Sequence, residues 1–170
     1  MEEIEVKFLE IDVKEIERRL IEIGAKKVFE GELNSIYFDF VDRLLEKEGK
    51  ILRLRKKGEK TYLTYKKVID TKKAKVMEEF ELEVSDFILI SKIFEGIGLV
   101  PLYEFRSYRT SYQLNEIKFE IDQYHEIPPF LEVEVPDLRE LNKVVLKLGL
   151  SHKEPKPFSI KEVLKHYRKI

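Results

Sequence analysis

Residues 3–8 read EIEVKF, in which Glu3, Glu5 and Lys7 alternate with Ile4, Val6 and Phe8. Successive side chains of a β-strand point to opposite faces, so this spacing stands two carboxylates and an ammonium side by side on one face. The other face is wholly apolar. Like charges lined up on one strand repel unless something gathers around them, and what that is decides the fold.

The same layout returns twice. Residues 3–24 (EIEVKFLEIDVKEIERRLIEIG), 79–98 (EFELEVSDFILISKIFEGIG) and 130–149 (FLEVEVPDLRELNKVVLKLG) each run from a Glu-x-Glu strand through an Asp into an apolar helical pattern that stops at a glycine. Asp12 and Asp137 are suited to cap helices, with Glu15 and Glu140 placed to complete capping boxes, and Asp86 or Ser85 caps the middle one. Ile16, Leu20 and Ile23 form one helical stripe, Phe87, Ile90, Phe94 and Ile97 a second, and Leu141, Val144, Val145 and Leu148 a third. Gly24, Gly98 and Gly149 suit left-handed C-caps.

Between these units lie period-two runs: SIYFDFV, KILRLRKK, TYLTYKKV, LYEFRSYRTSY and EIKFEIDQY, with KKGEK and QLNE as hairpin turns. With the Glu-x-Glu strands they make about eight strands, nearly all compatible with antiparallel pairing. A short helix in SIKEVLKHYRKI ends the chain. No linker divides the 170 residues, so the expectation is a single α+β domain over 1–170, built on a large sheet or barrel.

Composition narrows the partners. Charged residues make up 38% of the chain, yet 32 Lys plus Arg against 33 Asp plus Glu leave a net charge of -1, so no global field points to nucleic acid or a membrane. The absence of cysteine excludes disulfides and thiolate zinc sites. No apolar stretch approaches a membrane span, and a cytoplasmic location is expected. The abundance of Lys and Glu, with no Cys and no Trp, resembles the composition of hyperthermophile proteins.

The strand charges are segregated by sign. Glu3 and Glu5, then Glu79, Glu81 and Glu83, then Glu132 and Glu134 are acidic; Arg53, Arg55 and Lys66 are basic; Arg109, Lys118, Glu120 and Asp122 follow on the last long strands. One reading is a sheet whose polar face meets water. The other is a barrel with this face inward, its carboxylates around divalent cations such as Mg²⁺, Mn²⁺ or Ca²⁺ and its guanidinium groups around phosphate. The apolar face then points outward, and amphipathic helices must cover it.

The ordered set of motifs resembles the CYTH superfamily, the triphosphate tunnel metalloenzymes. Glu3-Ile-Glu5-Val-Lys7 is similar to its ExExK signature, and the likeness continues through IYFDF, LRLR, LTYK, the E-x-E of Glu79 and Glu81, Arg109-x-x-Tyr112, IKFEID, FLEVE and the tail FSIKEVL. The resemblance implies an eight-stranded antiparallel closed β-barrel, a tunnel with a polar interior, binding Mg²⁺ or Mn²⁺ and a triphosphate such as ATP, thiamine triphosphate or inorganic triphosphate. Its implied metal ligands are Glu3, Glu5, Asp122, Glu132 and Glu134. Lys7, Arg53, Arg55, Lys66, Arg109 and Lys118 would bind phosphate, with Glu5, Lys7 and Arg55 closest to the chemistry and Glu79, Glu81, Arg106 and Glu120 in secondary roles. Arg106 stands beside a gap in the family pattern, where a bulge would carry it inward, and Met77 and Ser35 replace an Arg and a carboxylate.

The implied activity is that of a class IV adenylyl cyclase or a triphosphatase, with a non-catalytic nucleotide- or polyphosphate-binding module as the alternative. An inside-out barrel leaves apolar outer surface, which makes a homodimer a candidate assembly. Tyr37 and Tyr112 are read as core or rim packing, and His125, His152 and His166 as structural.

Overall fold

The structure, a computed structural model, describes residues 2–70 and 75–168, and the side chains at 2, 3, 70 and 75 lie outside that description, Glu3 among them. Its elements are β1 (Glu2–Leu9), α1 (Val13–Glu22), β2 (Lys26–Phe40), α2 (Leu44–Lys47), β3 (Lys50–Lys57), β4 (Lys60–Asp70), β5 (Lys75–Val84), α3 (Phe87–Gly96), β6 (Leu99–Leu114), β7 (Ile117–Gln123), β8 (Phe130–Val135), α4 (Leu138–Lys147) and α5 (Ile160–His166). The strands close into one barrel in the order β1-β5-β4-β3-β2-β6-β7-β8, and every pairing is antiparallel.

Closure gives the repeat its meaning. The three Glu-x-Glu strands are β1, β5 and β8, and in the ring they are consecutive, with β1 between the other two. The Arg- and Lys-bearing strands β3 and β4 are also neighbours, and β3 stands four strands from β8 in either direction, straight across the barrel. One wall is therefore acidic and the facing wall basic.

The helices cover the outside, as an inverted barrel requires. α1 and α4 bury Ile16, Leu20, Leu141 and Val144 against Val6, Phe8, Phe119, Ile121, Leu131 and Val133 of β1, β7 and β8. A fully buried side chain of this size contributes about 2 kcal/mol through apolar burial. α3 packs Phe94 on Phe38, Leu54 and Leu99, but its far side, with Ile88, Leu89 and Ile93, stays exposed, and so does Ile97, which the expected stripe included but which falls at the C-cap, where the helix ends. α5 places Val163 and Leu164 against Ile127 and Phe130.

The three N-caps follow the sequence, but the two expected capping boxes do not form. Asp12, Asp86 and Asp137 accept hydrogen bonds from the backbone N–H groups of Glu15, Leu89 and Glu140 at 3.0, 2.9 and 2.9 Å. Glu15 and Glu140 do not reach back to complete boxes; they turn to Arg18 and Arg19, and to Lys143. The full capping box is instead Ser159 with Glu162, at the start of α5. Gly149, at φ +62°, is doubly constrained: a Cβ there would overlap the guanidinium of Arg19, whose Nη1 donates to the carbonyl of Leu148 at 2.7 Å.

The short helix α2 has no period-two or 3.6-residue signature. It is held by Asp39, whose buried carboxylate accepts from the N–H groups of Leu45 and Glu46 at 2.8 and 2.9 Å. No helix among the described residues is long and apolar enough to cross a membrane.

Candidate active site

The barrel encloses a cavity of about 510 Å³ into which both charged walls project. On the acidic side Glu5, Glu132 and Glu134 are all buried, and each offers an oxygen within 4.8 Å of the others. They meet because β1 pairs with β8 in a register that sets Glu5 opposite Glu134 and Lys7 opposite Glu132. Lys7 lies inside this cluster, paired with Glu132 and 3.4 Å from Glu5, rather than on the basic wall. Burial alone would push its ammonium down, but Glu132 and Glu5 outweigh burial and raise it, while Lys7 in turn holds Glu132 well below the usual carboxylate range against its own burial.

Arg53, Arg55 and Lys66 form the opposite wall. Arg53 Nη2 donates to Thr64 Oγ1 at 3.2 Å and lies 3.5 Å from Glu81, to which the same threonine hydroxyl donates at 2.8 Å. Lys66 pairs with Glu79. The two secondary carboxylates thus form a seam between the walls, tying down the cations beside them. Arg55 Nε donates to Ser35 Oγ at 2.9 Å, and among the described residues Arg55 forms no ion pair. Burial, then Arg53 and Arg109, lower its pKa. The Nε of Arg53 is buried with no hydrogen-bond partner. Arg53 and Arg55 thus set two buried guanidinium groups close enough to repel, a local excess of positive charge on this wall.

Tyr37 belongs to this wall and not to the packing role read from the sequence. It is set opposite Arg53 by the β2–β3 register. Burial would raise its phenol, but Arg53, Arg55 and Lys66 lower it overall. Tyr112, by contrast, packs outside the barrel, with its hydroxyl donating to Glu17 at 3.0 Å.

The remaining residues divide by position. Asp122 is buried on β7, its carboxylate gripped by Arg109, which also pairs with Glu120. Lys118 pairs with Glu134 at 2.9 Å and is half exposed at the tunnel end formed by the β3–β4 and β6–β7 turns. Arg106 is on the outside, exposed and paired with Glu104; β6 has no bulge at that point to turn it inward, so the strand alternation that points Arg109 in points Arg106 out.

Lys57, Tyr103, Glu46 and Lys161 line the same cavity and were missed in the sequence. Lys57 continues the inward alternation of Arg53 and Arg55, a signal present in KILRLRKK. Glu46 and Lys161 come from α2 and α5, which fold over the mouth, and no local pattern announces that.

Comparison with known proteins agrees with this architecture. Residues 1–165 match the CYTH domain family. A protein of Methanocaldococcus jannaschii named as a candidate adenylate cyclase is 29% identical over 147 residues, covering 85% of this chain and 84% of its own. The PH1012 protein of Pyrococcus horikoshii is 29% identical, with a TM-score of 0.79 over 92% of this chain and 96% of that one. A candidate adenylyl cyclase of Hippeastrum, described as having a dominant triphosphatase activity, has the same fold at 18% identity, with a TM-score of 0.71 over 99% and 97% of the two chains. With the match spanning nearly its whole length and the acidic and basic walls in place, this chain belongs to the CYTH domain family.

Proposed function

We propose that the tunnel binds a triphosphate together with Mg²⁺ or Mn²⁺ and cleaves it, as an adenylyl cyclase releasing pyrophosphate or as a triphosphatase releasing orthophosphate. The observation that carries this reading is the cluster of Glu5, Glu132 and Glu134 facing Arg53, Arg55 and Lys66 across one closed cavity. The donor set is three hard carboxylates, without nitrogen or sulfur, and it fits Mg²⁺ or Mn²⁺. Glu5, Glu132 and Glu134 would hold the ion, which would supply charge neutralisation for phosphate oxygens and acidify a water or hydroxyl.

The chain's own groups do the rest. Arg53 and Arg55 both line the cavity and present guanidinium groups to phosphate oxygens, and Arg55 forms no ion pair among the described residues. Phosphoryl transfer depends chiefly on positioning and charge neutralisation, and these cations are fixed before substrate arrives, so little reorganisation opposes the transition state. The lowered Tyr37 phenol stands beside them as a hydrogen-bond or proton donor to the phosphate chain. Lys7 holds Glu5 and Glu132 in place.

The relative from Methanocaldococcus jannaschii supports the cyclase outcome by its name. Product analysis with ATP and with inorganic triphosphate, in Mg²⁺ or Mn²⁺, separates the two reactions: cyclic AMP plus pyrophosphate identifies a cyclase, orthophosphate plus a diphosphate a triphosphatase. Glu5→Gln and Arg55→Ala are each expected to lower kcat/KM by about 10²-fold or more. Binding without turnover would leave a non-catalytic module instead.

The exposed Ile88, Leu89 and Ile93 of α3 and Ile97 at its C-cap, with Phe80 and Leu82 of β5, support a homodimer through this outer surface. Sedimentation equilibrium showing a monomer at all concentrations would exclude it.

A further inference from the structure

The cavity changes character along its length. Around Arg53, Arg55 and the carboxylates its lining is charged, whereas toward α2 and α5 it passes to Leu102, Tyr103, Phe105, Ile51 and Val68. Tyr37 meets Phe105 edge to face at 5.4 Å, and Phe105 lies nearly parallel to Tyr103 at 6.0 Å. The three rings form a shelf leading from the phosphate-binding wall to the mouth.

Across this mouth Lys161 of α5 reaches over Tyr103, 4.7 Å from the ring centroid, and pairs with Glu46 of α2. Arg43 joins them, 5.9 Å from the same ring centroid and 3.7 Å from Glu46, so ring and carboxylate together already hold two cations there, which a ligand's ring would displace or sit between. The site therefore has a π-face, apolar walls and a hydrogen-bond acceptor at one end of a polyanion tunnel.

Size points the same way. A triphosphate chain fills on the order of 200 Å³ at interior packing density, well under half of a cavity of about 510 Å³. Inorganic triphosphate would leave the aromatic end as wet apolar surface. A triphosphate ester with a flat organic group would fill it.

We propose that the α2–α5 end of the cavity recognises the ring-bearing group of an organic triphosphate, with Tyr103 and Glu46 as its specificity-determining residues. The ring lies on the Tyr103–Phe105 shelf, Glu46 accepts from a ring amino group or faces a ring cation, and Lys161 closes over it. This inference rests on the tunnel being the triphosphate site.

Calorimetric binding to the full chain, with Ca²⁺ in place of Mg²⁺, tests it using ATP, CTP, thiamine triphosphate and inorganic tripolyphosphate. At least one ester is expected to bind about tenfold or more tightly than tripolyphosphate. Tyr103→Ala removes that preference and leaves tripolyphosphate binding within about twofold, because losing a stacking face costs only a ligand that has a ring to stack. Tyr103→Phe keeps most of the preference, and Glu46→Gln changes which ester is preferred. The inference is overturned if no ester outbinds tripolyphosphate, or if Tyr103→Ala weakens all four ligands equally. Failure of tripolyphosphate to bind at all, with Arg55→Ala making no difference, would instead overturn the tunnel reading beneath it.

Discussion

Arg109 holds Asp122 at two points, Nε to Oδ1 at 2.7 Å and Nη2 to Oδ2 at 2.5 Å, with both side chains buried. Asp122, one of the expected metal ligands, has both oxygens accepting from a guanidinium of the neighbouring strand. Its evident work is to fix Arg109, whose charged form Asp122 and Glu120 favour against burial. Removing one partner of a buried ion pair strands the other, so Asp122→Asn is expected to lower stability by about 3 kcal/mol. Urea denaturation measures this, and a loss under about 1 kcal/mol would show that Glu120 alone suffices.

Glu5 should behave in the opposite sense. Three carboxylates with oxygens within 4.8 Å of one another repel in the absence of a divalent ion, and Lys7, Lys118 beside Glu134 and Lys66 offset only part of this. Glu5→Gln is therefore expected to raise Tm in EDTA by a few degrees while abolishing the further rise that the proposed binding of Mg²⁺ or Mn²⁺ would give the unmodified protein. A variant that keeps the full Mg²⁺-dependent rise would remove Glu5 from the metal site.

Tyr37 supplies a spectroscopic handle. Burial would raise its phenol, but Arg53, Arg55 and Lys66 lower it, so one tyrosine should titrate below the ordinary range, and Tyr37→Phe should delete that step from the absorbance titration at about 295 nm. A bound tripolyphosphate neutralises those cations and is expected to move the step back up. An unchanged titration in Tyr37→Phe would contradict the assignment.

Acid stability has a separate source on the surface. Glu15 accepts from Arg18 and Arg19, whose hydrogen bonds lower its pKa from 4.5 to about 2. A carboxyl whose folded pKa is depressed binds its proton more readily in the unfolded chain, so its contribution is complete above 4.5 and is lost as the pH falls toward 2. Glu15→Gln should therefore narrow the stability difference between about pH 7 and about pH 3, and parallel acid-unfolding curves for the two proteins would refute this.

The outer core carries the fold's stability. Phe119 is fully buried between β7 and the α1–α4 layer, and Phe119→Ala is expected to cost about 3–5 kcal/mol with little change in the tunnel charges. A loss under about 2 kcal/mol, measured by denaturant titration, would mean that the layer collapses to refill the space.

Much of this was legible before any coordinates. The alternation in EIEVKF, KILRLRKK and FLEVE placed Glu5, Arg53, Arg55, Glu132 and Glu134 on one face, because a period of two survives whatever the sheet does next. The same rule betrays Arg106, which shares a strand with Arg109 but has the wrong parity. Pairing was less legible: that Asp122 would meet Arg109, or Lys7 Glu132, depends on register between strands far apart in the chain. The mouth was opaque, because Glu46 and Lys161 reach it through a short helix held by Asp39 and a terminal helix docked by Val163 and Leu164, tertiary events with no local period.

The acidic wall also has a bearing on how the protein comes into being. β1 and β8 are joined only when residues 4–9 meet residues 130–135, the most distant pairing in the barrel, and Glu5, Glu132 and Glu134 come together in that same step. Such a closure waits for nearly the whole chain to leave the ribosome and is slow for entropic reasons. No fragment that lacks residues 130–135 can assemble the three carboxylates, so whatever chemistry this cluster serves begins only when the last seam of the barrel has closed.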